Sequence, residues 1–389
     1  MGNFYLLVVD GLGVGAQEDA AEYGDESANT LVHVCEQTGC RLPNFQKLGL
    51  GNIVDLKTVA PNEAPLAATG KMREVSAGKD STTGHWELAG LRLDRPFPTY
   101  PEGFPDEVID SFCRQINVEK VLCNQPLSGT TAIAEFGAEH LQTGSPVVYT
   151  SADSVFQVAA HIEQVPLERL YEWCRLARNH VMVGQHGVGR VIARPFRGPP
   201  GAFERISEQR KDFSLSPPEH NVVYQLYRNG IKTYGIGKVI DLFAGEGFTQ
   251  YRKTRANAEG ISQMLSLMSA AEDSFVFVNL IDTDQIYGHR LDPDGYARSL
   301  QEIDRAIPAM ANKIKDDDLL VITADHGNDP TAQSTDHSRE FVPLLVFPGE
   351  NAKRLNLGIR ATFADVASSV AEYFGLEQNY PGSSFIKVK

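Results

Sequence analysis

Leu319-Leu320-Val321-Ile322-Thr323-Ala324-Asp325-His326-Gly327-Asn328-Asp329 is a short apolar run that stops on an acid and an imidazole side by side. Such a run, bounded by polar residues, is the habit of a strand covered on both faces in an α/β sheet. The same pattern recurs along the chain. Phe4 to Val9 ends at Asp10, Val147 to Thr150 leads to Ser151 and Asp153, and Phe275 to Ile281 ends at Asp282 and Asp284. Leu344 to Phe347 ends at Pro348 and Gly349. Helical patterns lie between. Within Tyr296 to Ile314, Leu300, Ile303, Ile307, Met310 and Ile314 recur at three- and four-residue spacing, one apolar face of a helix. Thr362 is placed to cap another helix, carrying Phe363, Val366, Val370 and Phe374 and closed by Gly375. The pattern predicts an α/β fold with a mainly parallel sheet between helices. Open sheets of this kind gather their chemistry at the carboxyl ends of strands. Asp10, Asp284 and the Asp325-His326 pair all follow a strand.

At 389 residues the chain exceeds what one core usually reaches, which predicts two domains. From Pro98 to Pro217 the texture changes to frequent Pro and Gly turns with few long helical patterns. We read 98–217 as a smaller inserted α+β domain, interrupting a discontinuous core made of 1–97 and 218–389. Hydrophobic residues make up 42% and charged residues 22%, a composition that folds rather than one that stays disordered. The net charge of -14 disfavours nucleic acid and anionic membranes as partners. An anionic substrate would therefore need positive charge concentrated locally. Cys35, Cys40, Cys113, Cys123 and Cys174 form no CxxC pair and read as reduced thiols. The start of the chain lacks the basic region of a signal peptide, and no apolar run approaches the roughly 20 residues that span a bilayer. The expectation is a cytoplasmic protein.

Asp325 and His326 can both turn toward one metal where the chain leaves the sheet. Asp284 and His289 are separated by a loop containing Gly288, which lets carboxylate and imidazole fold back together. Asp282 follows the same strand two residues earlier and is an equal candidate by spacing. His337 lies in a polar loop soon after, and Asp10 adds a carboxylate from the first strand. A lone Asp at a strand end is more often a turn former than a ligand; the set of acids and histidines in compatible order shifts that balance. The donors are oxygen and nitrogen without thiolate, which suits Mn²⁺, Mg²⁺ or Zn²⁺ at a reactive centre. His33, His140, His161, His180, His186 and His220 lack this context, and Asp329 and Asp336 read as loop formers. A second signal is Gly78-Lys79-Asp80-Ser81-Thr82-Thr83-Gly84-His85-Trp86-Glu87. Its hydroxyls suit a nucleophile that a dication activates, or the cap of a helix whose N-terminus favours phosphate.

At these residues the chain resembles the phosphopentomutases of the alkaline phosphatase superfamily, nearly end to end. The resemblance is carried by Val8-Val9-Asp10-Gly11, Lys79-Asp80-Ser81, Gly84-His85-Trp86-Glu87, Tyr149-Thr150-Ser151-Ala152-Asp153-Ser154 and Val188-Gly189-Arg190-Val191-Ile192-Ala193-Arg194-Pro195-Phe196. Ile236-Gly237-Lys238, Gly288-His289-Arg290, Ala324 to Asp329 and Thr335-Asp336-His337 continue it. The resemblance implies an alkaline-phosphatase-like core with an inserted cap. It implies that Asp284, His289 and His337 hold one metal and that Asp10, Asp325 and His326 hold the other. It makes Ser81 the phosphorylated nucleophile, at a position where the family usually has Thr, with Thr82 and Thr83 as alternatives. Gly11 stands where Ser is common. Asp153, Arg190, Ile192 and Lys238 would contact the sugar phosphate. The implied activity interconverts ribose 1-phosphate, or its 2-deoxy counterpart, with the 5-phosphate. It would run through a 1,5-bisphosphate, using two divalent ions, Mn²⁺ by preference, and a sugar bisphosphate activator.

Overall fold

The computed structural model describes residues 2–151, 153–377 and 379–387. The chain divides into two compact units, one made of residues 1–95 and 217–389 and the other of residues 96–216. The larger unit is built on an eight-stranded sheet. Its strands run in the order Gln250–Arg252, Lys232–Ile236, Ser274–Leu280, Phe4–Val9, Leu319–Thr323, Val342–Phe347, Ala68–Met72 and Asn356–Arg360. All pair in parallel except at Val342–Phe347, which is antiparallel to both neighbours. The architecture is therefore α/β with a mainly parallel sheet.

Every residue of the three central strands, Ser274–Leu280, Phe4–Val9 and Leu319–Thr323, is buried. That explains why they read as near-continuous apolar runs, since a strand covered on both faces has no side to leave to solvent. Helices Thr30–Thr38, Pro43–Leu48 and Asn257–Ala270 pack on helix Pro293–Ala311. Helices Ser81–Leu88, Val222–Arg228 and Asp365–Phe374 form another packed set.

Two sequence expectations are corrected here. The long helix runs over Pro293–Ala311, because Asp292 caps it by accepting from the Gly295 amide; Ile314 lies beyond its end. Thr362 does not cap the last helix, which begins at Asp365. Its hydroxyl accepts from the Ala364 amide and donates to Glu87 instead. The run ending at Pro348 belongs to the reversed strand, so its end points away from the carboxyl edge of the parallel strands.

The smaller unit carries a six-stranded mixed sheet. Leu122–Pro126, Val147–Thr150, Val155–His161 and Arg190–Arg197 are adjacent in that order, and Glu204–Arg205 and Lys211–Ser214 both pair with Arg190–Arg197. Alternation along the strands gives two cores, one holding Phe156, Val158 and Val191 and the other Tyr149, Ala159 and Phe196. Helices Asp106–Ile116, Gly129–Thr143 and Leu167–Leu176 make this unit more helical than its Pro and Gly turns suggest. All five cysteines are free thiols. No helix among the described residues is long and apolar enough to cross a membrane.

Candidate metal centre

Ser81 is the first residue of the helix Ser81–Leu88, and Asp80 is its N-cap, accepting from the amides of Thr82 and Thr83. Asp80 also takes the Thr83 hydroxyl at 2.5 Å. With capping done by a carboxylate, the Ser81 hydroxyl is released for other contacts. Its Oγ lies 2.7 Å from Lys238 Nζ and 3.2 Å from His326 Nε2. Gly84 lets this helix approach the end of the Leu319–Thr323 strand, since a Cβ there would stand 2.0 Å from the Asp325 carbonyl oxygen. Glu87 anchors the other end of the helix: its buried carboxylate accepts from the amides of Val75, Ser76 and Phe363 and from the Thr362 hydroxyl. Glu87→Ala would leave these donors unpaired inside the protein and is expected to lower stability by about 3–5 kcal/mol, read as a shift in the urea midpoint at constant slope.

The carboxyl ends of three parallel strands bring Asp10, Asp284 and Asp325 together with His326 and His337. Two groups of potential ligand atoms lie within 4.8 Å of one another: Asp10, Asp325 and His326, and Asp284, His326 and His337. His326 Nε2 is 3.4 Å from Asp10 Oδ1 and 3.2 Å from Asp325 Oδ2. Asp284 Oδ1 is 3.5 Å from His337 Nε2, and its Oδ2 is 3.5 Å from His289 Nε2. Asp284 sits in a π-helical turn, Asp282–Tyr287, and is the acid that faces the histidines. Asp282 instead accepts from the Asn257 amide at 2.9 Å. Ring orientations are set from behind. His289 Nδ1 donates to the Thr335 carbonyl at 2.6 Å and His326 Nδ1 to the Gly327 carbonyl at 3.0 Å, which turns each Nε2 toward the carboxylates.

Burial raises the Asp10 carboxyl above its ordinary range, and neighbouring Asp325 adds to the rise. Burial alone would neutralise His326, but Asp325, Asp10 and Asp284 together hold it well above the usual imidazole range. Burial and the adjacent His326 charge push His337 well below it. Against its own burial, Asp284 is kept below the carboxylate range by His289, His337 and His326. The hydrogen bond to Asp284 raises His289 to about 8. Three buried carboxylates crowded this way want cations between them. Asp10 Oδ1 and Oδ2 and His337 Nε2 are buried without a hydrogen-bond partner, and such atoms fit coordination to a metal ion.

Comparison with known proteins decides the family. A model described as Metalloenzyme superfamily matches residues 2–378. The phosphopentomutase of Caldanaerobacter subterraneus subsp. tengcongensis is 52% identical over 382 residues, covering 98% of this chain and 96% of that protein. The chain belongs to the phosphopentomutase family. The phosphopentomutase of Dictyoglomus thermophilum is 50% identical, with 98% of this chain and 97% of that protein covered. Among solved structures, Leishmania mexicana phosphoglycerate mutase aligns with a TM-score of 0.45 at 13% identity, covering 100% of this chain and 98% of that one. As a metalloenzyme of the phosphopentomutase family, the protein binds divalent metal, in keeping with the donor groups described above.

Other phosphopentomutase positions named from the sequence fall as follows. Gly11 has φ +78°, and a Cβ there would lie 3.1 Å from Asn328 and 3.3 Å from Asp284, so the glycine suits both its backbone and its neighbours. In the smaller unit, Arg190 lies 3.6 Å from Asp153 and 3.6 Å from Asp212, and Ile192 is buried. His33 and Asp329, set aside as ordinary, pair with each other at 2.6 Å. Sequence reading did not single out two buried residues of the centre. His85 Nδ1 reaches the Ser81 carbonyl at 2.9 Å and Asp325 Oδ2 at 3.1 Å. Asn328 Nδ2 donates to Asp284 Oδ1 at 2.7 Å. Both lie inside the quoted motifs, which is the only signal that could have found them.

Proposed function

We propose that the protein is an isomerase that interconverts ribose 1-phosphate and 2-deoxyribose 1-phosphate with the corresponding 5-phosphates through phospho-Ser81. The observation that carries this reading is the Ser81 hydroxyl standing between Lys238 and His326 at 2.7 Å and 3.2 Å, in a chain half identical to phosphopentomutases. Asp284, His289 and His337 would hold one divalent ion, and Asp10, Asp325 and His326 the other. Mn²⁺ suits a donor set of oxygen and nitrogen. When bound, the ions neutralise charge on the transferring phosphoryl group and favour the serine alkoxide.

The chain's own residues do the rest. Phospho-Ser81 gives its phosphoryl group to the free sugar hydroxyl, forming a 1,5-bisphosphate, and the other phosphate then returns to Ser81. Lys238 places a compact cation on Ser81 Oγ, where negative charge appears as the phosphoryl group leaves. Ser81 stands at the N-terminal end of its helix, where the helix dipole favours negative charge. A sugar bisphosphate activates the enzyme by charging Ser81. We assign the smaller unit as a cap domain, with Asp153, Arg190 and Ile192 contributing to sugar-phosphate binding. We place the enzyme in the cytoplasm.

A phosphorus NMR time course with ribose 1-phosphate, Mn²⁺ and a trace of sugar bisphosphate tests the proposal. Ribose 5-phosphate should accumulate with little inorganic phosphate. Release of inorganic phosphate alone would mark a hydrolase and overturn it.

A further inference from the structure

His85 is completely buried, four residues after Ser81 on the helix Ser81–Leu88, so its imidazole can bend back over the first turn. Nδ1 lies 2.9 Å from the Ser81 carbonyl oxygen and 3.1 Å from Asp325 Oδ2. Both neighbours are acceptors, so Nδ1 carries the ring proton and Nε2 the lone pair. Nε2 is buried without a hydrogen-bond partner. The ring stacks on Phe277, with centroids 5.6 Å apart and planes 25° apart, which fixes its plane. Burying an imidazole costs free energy that an apolar side chain in the same space would not. Among the described residues the polar contacts of this one are all made through Nδ1, which is where its use must lie.

Nδ1 stands between the two halves of the chemistry. The Ser81 carbonyl belongs to the residue whose hydroxyl meets Lys238 and His326, and Asp325 is a carboxylate of the metal centre. The two oxygens of Asp325 are approached from different sides. The Gly11 amide donates to Oδ1 at 3.2 Å, and His85 faces Oδ2. Gly84, the residue before His85, leaves out the Cβ that would collide with the Asp325 carbonyl, so the helix can come this close. A carboxylate free to rotate offers a metal a shifting donor, and a proton donor against each oxygen stops that rotation.

We infer that His85 is a positioning residue: its Nδ1–H fixes the Asp325 carboxylate for a divalent cation and sets the spacing between that cation and Ser81. The inference rests on the reading that Asp10, Asp325 and His326 hold one of the two ions. His85 acts through Asp325 rather than on the cation itself.

Manganese titration of the metal-free, full-length protein, followed by the electron paramagnetic resonance of the free ion, tests this without substrate. His85→Phe keeps a ring and loses the donor. His85→Leu loses both, and His85→Asn has the branched shape of leucine with an N–H returned near the place of Nδ1. His85→Phe and His85→Leu should each weaken one of the two ions about tenfold to a hundredfold and leave the other within about threefold of the parent. His85→Asn should hold both ions within about threefold of the parent. Asp325→Asn is the reference and should weaken the same ion. Adding His85→Leu to it should cost less than about threefold more, because the two changes remove one contact. Parental affinity for both ions in His85→Phe and His85→Leu, equal loss of both ions, or His85→Asn as weak as His85→Leu would each overturn the inference. Weak binding by Asp325→Asn beside parental binding by His85→Leu sinks the inference alone. Parental binding by Asp325→Asn sinks the metal assignment and the inference with it. The isomerase reading is decided separately, since a chain inert toward ribose 1-phosphate would give the same titration.

Discussion

Ser81→Ala is expected to lower isomerisation by about four orders of magnitude or more while leaving metal content unchanged. The expectation follows from where the hydroxyl stands. Ser81 Oγ is the hydroxyl that meets both Lys238 Nζ and His326 Nε2, at 2.7 Å and 3.2 Å. Thr83 is turned away to Asp80 at 2.5 Å. Removing Oγ deletes the atom that would carry phosphate but none of the carboxylates or imidazoles that would hold metal. The helix keeps its cap, because that is supplied by Asp80. Ser81→Thr restores a hydroxyl at the same position and should keep activity within about tenfold of the parent. The added methyl must fit a site that is only 5% exposed, which sets the direction of the residual loss. Phosphorus NMR with ribose 1-phosphate reads the activity, and elemental analysis reads the metal. Near-parental turnover by Ser81→Ala would show that phosphate rides on another residue.

The sequence made the strand-end acids visible because central parallel strands leave no polar face, so Asp10 and Asp325 mark where each run leaves the sheet. Spacing alone did not separate Asp284 from Asp282. They part because the chain enters a π-helical turn, Asp282–Tyr287, that aims one carboxylate at His289 and His337 and the other at the Asn257 amide. The reversed strand Val342–Phe347 was equally out of reach. An apolar run has no direction, and only pairing with Leu319–Thr323 gives it one. Thr362 misled because a threonine before an apolar helix is a good cap locally; the carboxylate of Glu87, 275 positions earlier in the chain, claims its hydroxyl. His85 and Asn328 belong to the same class. Their partners Asp325 and Asp284 are remote in sequence, so no local pattern states the contact.

Metal removal should abolish activity and also lower the melting temperature, and the second effect isolates the buried carboxylates. A ligand held at a thousandfold its dissociation constant stabilises the folded state by about 4 kcal/mol, so stripping it should lower the melting temperature by roughly 10 °C. Asp10→Asn should then act with opposite signs in the two states. In the loaded enzyme it removes a ligand, and both activity and melting temperature should fall. In chelated protein it should melt higher than the chelated parent. Asp10 is fully buried, neither of its oxygens accepts a hydrogen bond, and burial together with Asp325 raises its carboxyl above the ordinary range. A folded-state pKa raised above the unfolded value means that the folded chain takes up a proton. The resulting penalty is absent below the unfolded carboxylate pKa and grows as pH rises toward the folded one. Asparagine carries no charge and escapes it. The advantage of Asp10→Asn in chelated protein should therefore be small near pH 4 and larger near neutrality, read by differential scanning calorimetry across that range. A chelated variant melting below the chelated parent at neutral pH would show that Asp10 stabilises the centre without metal, through the His326 and Lys238 charges 3.4 Å and 3.8 Å away.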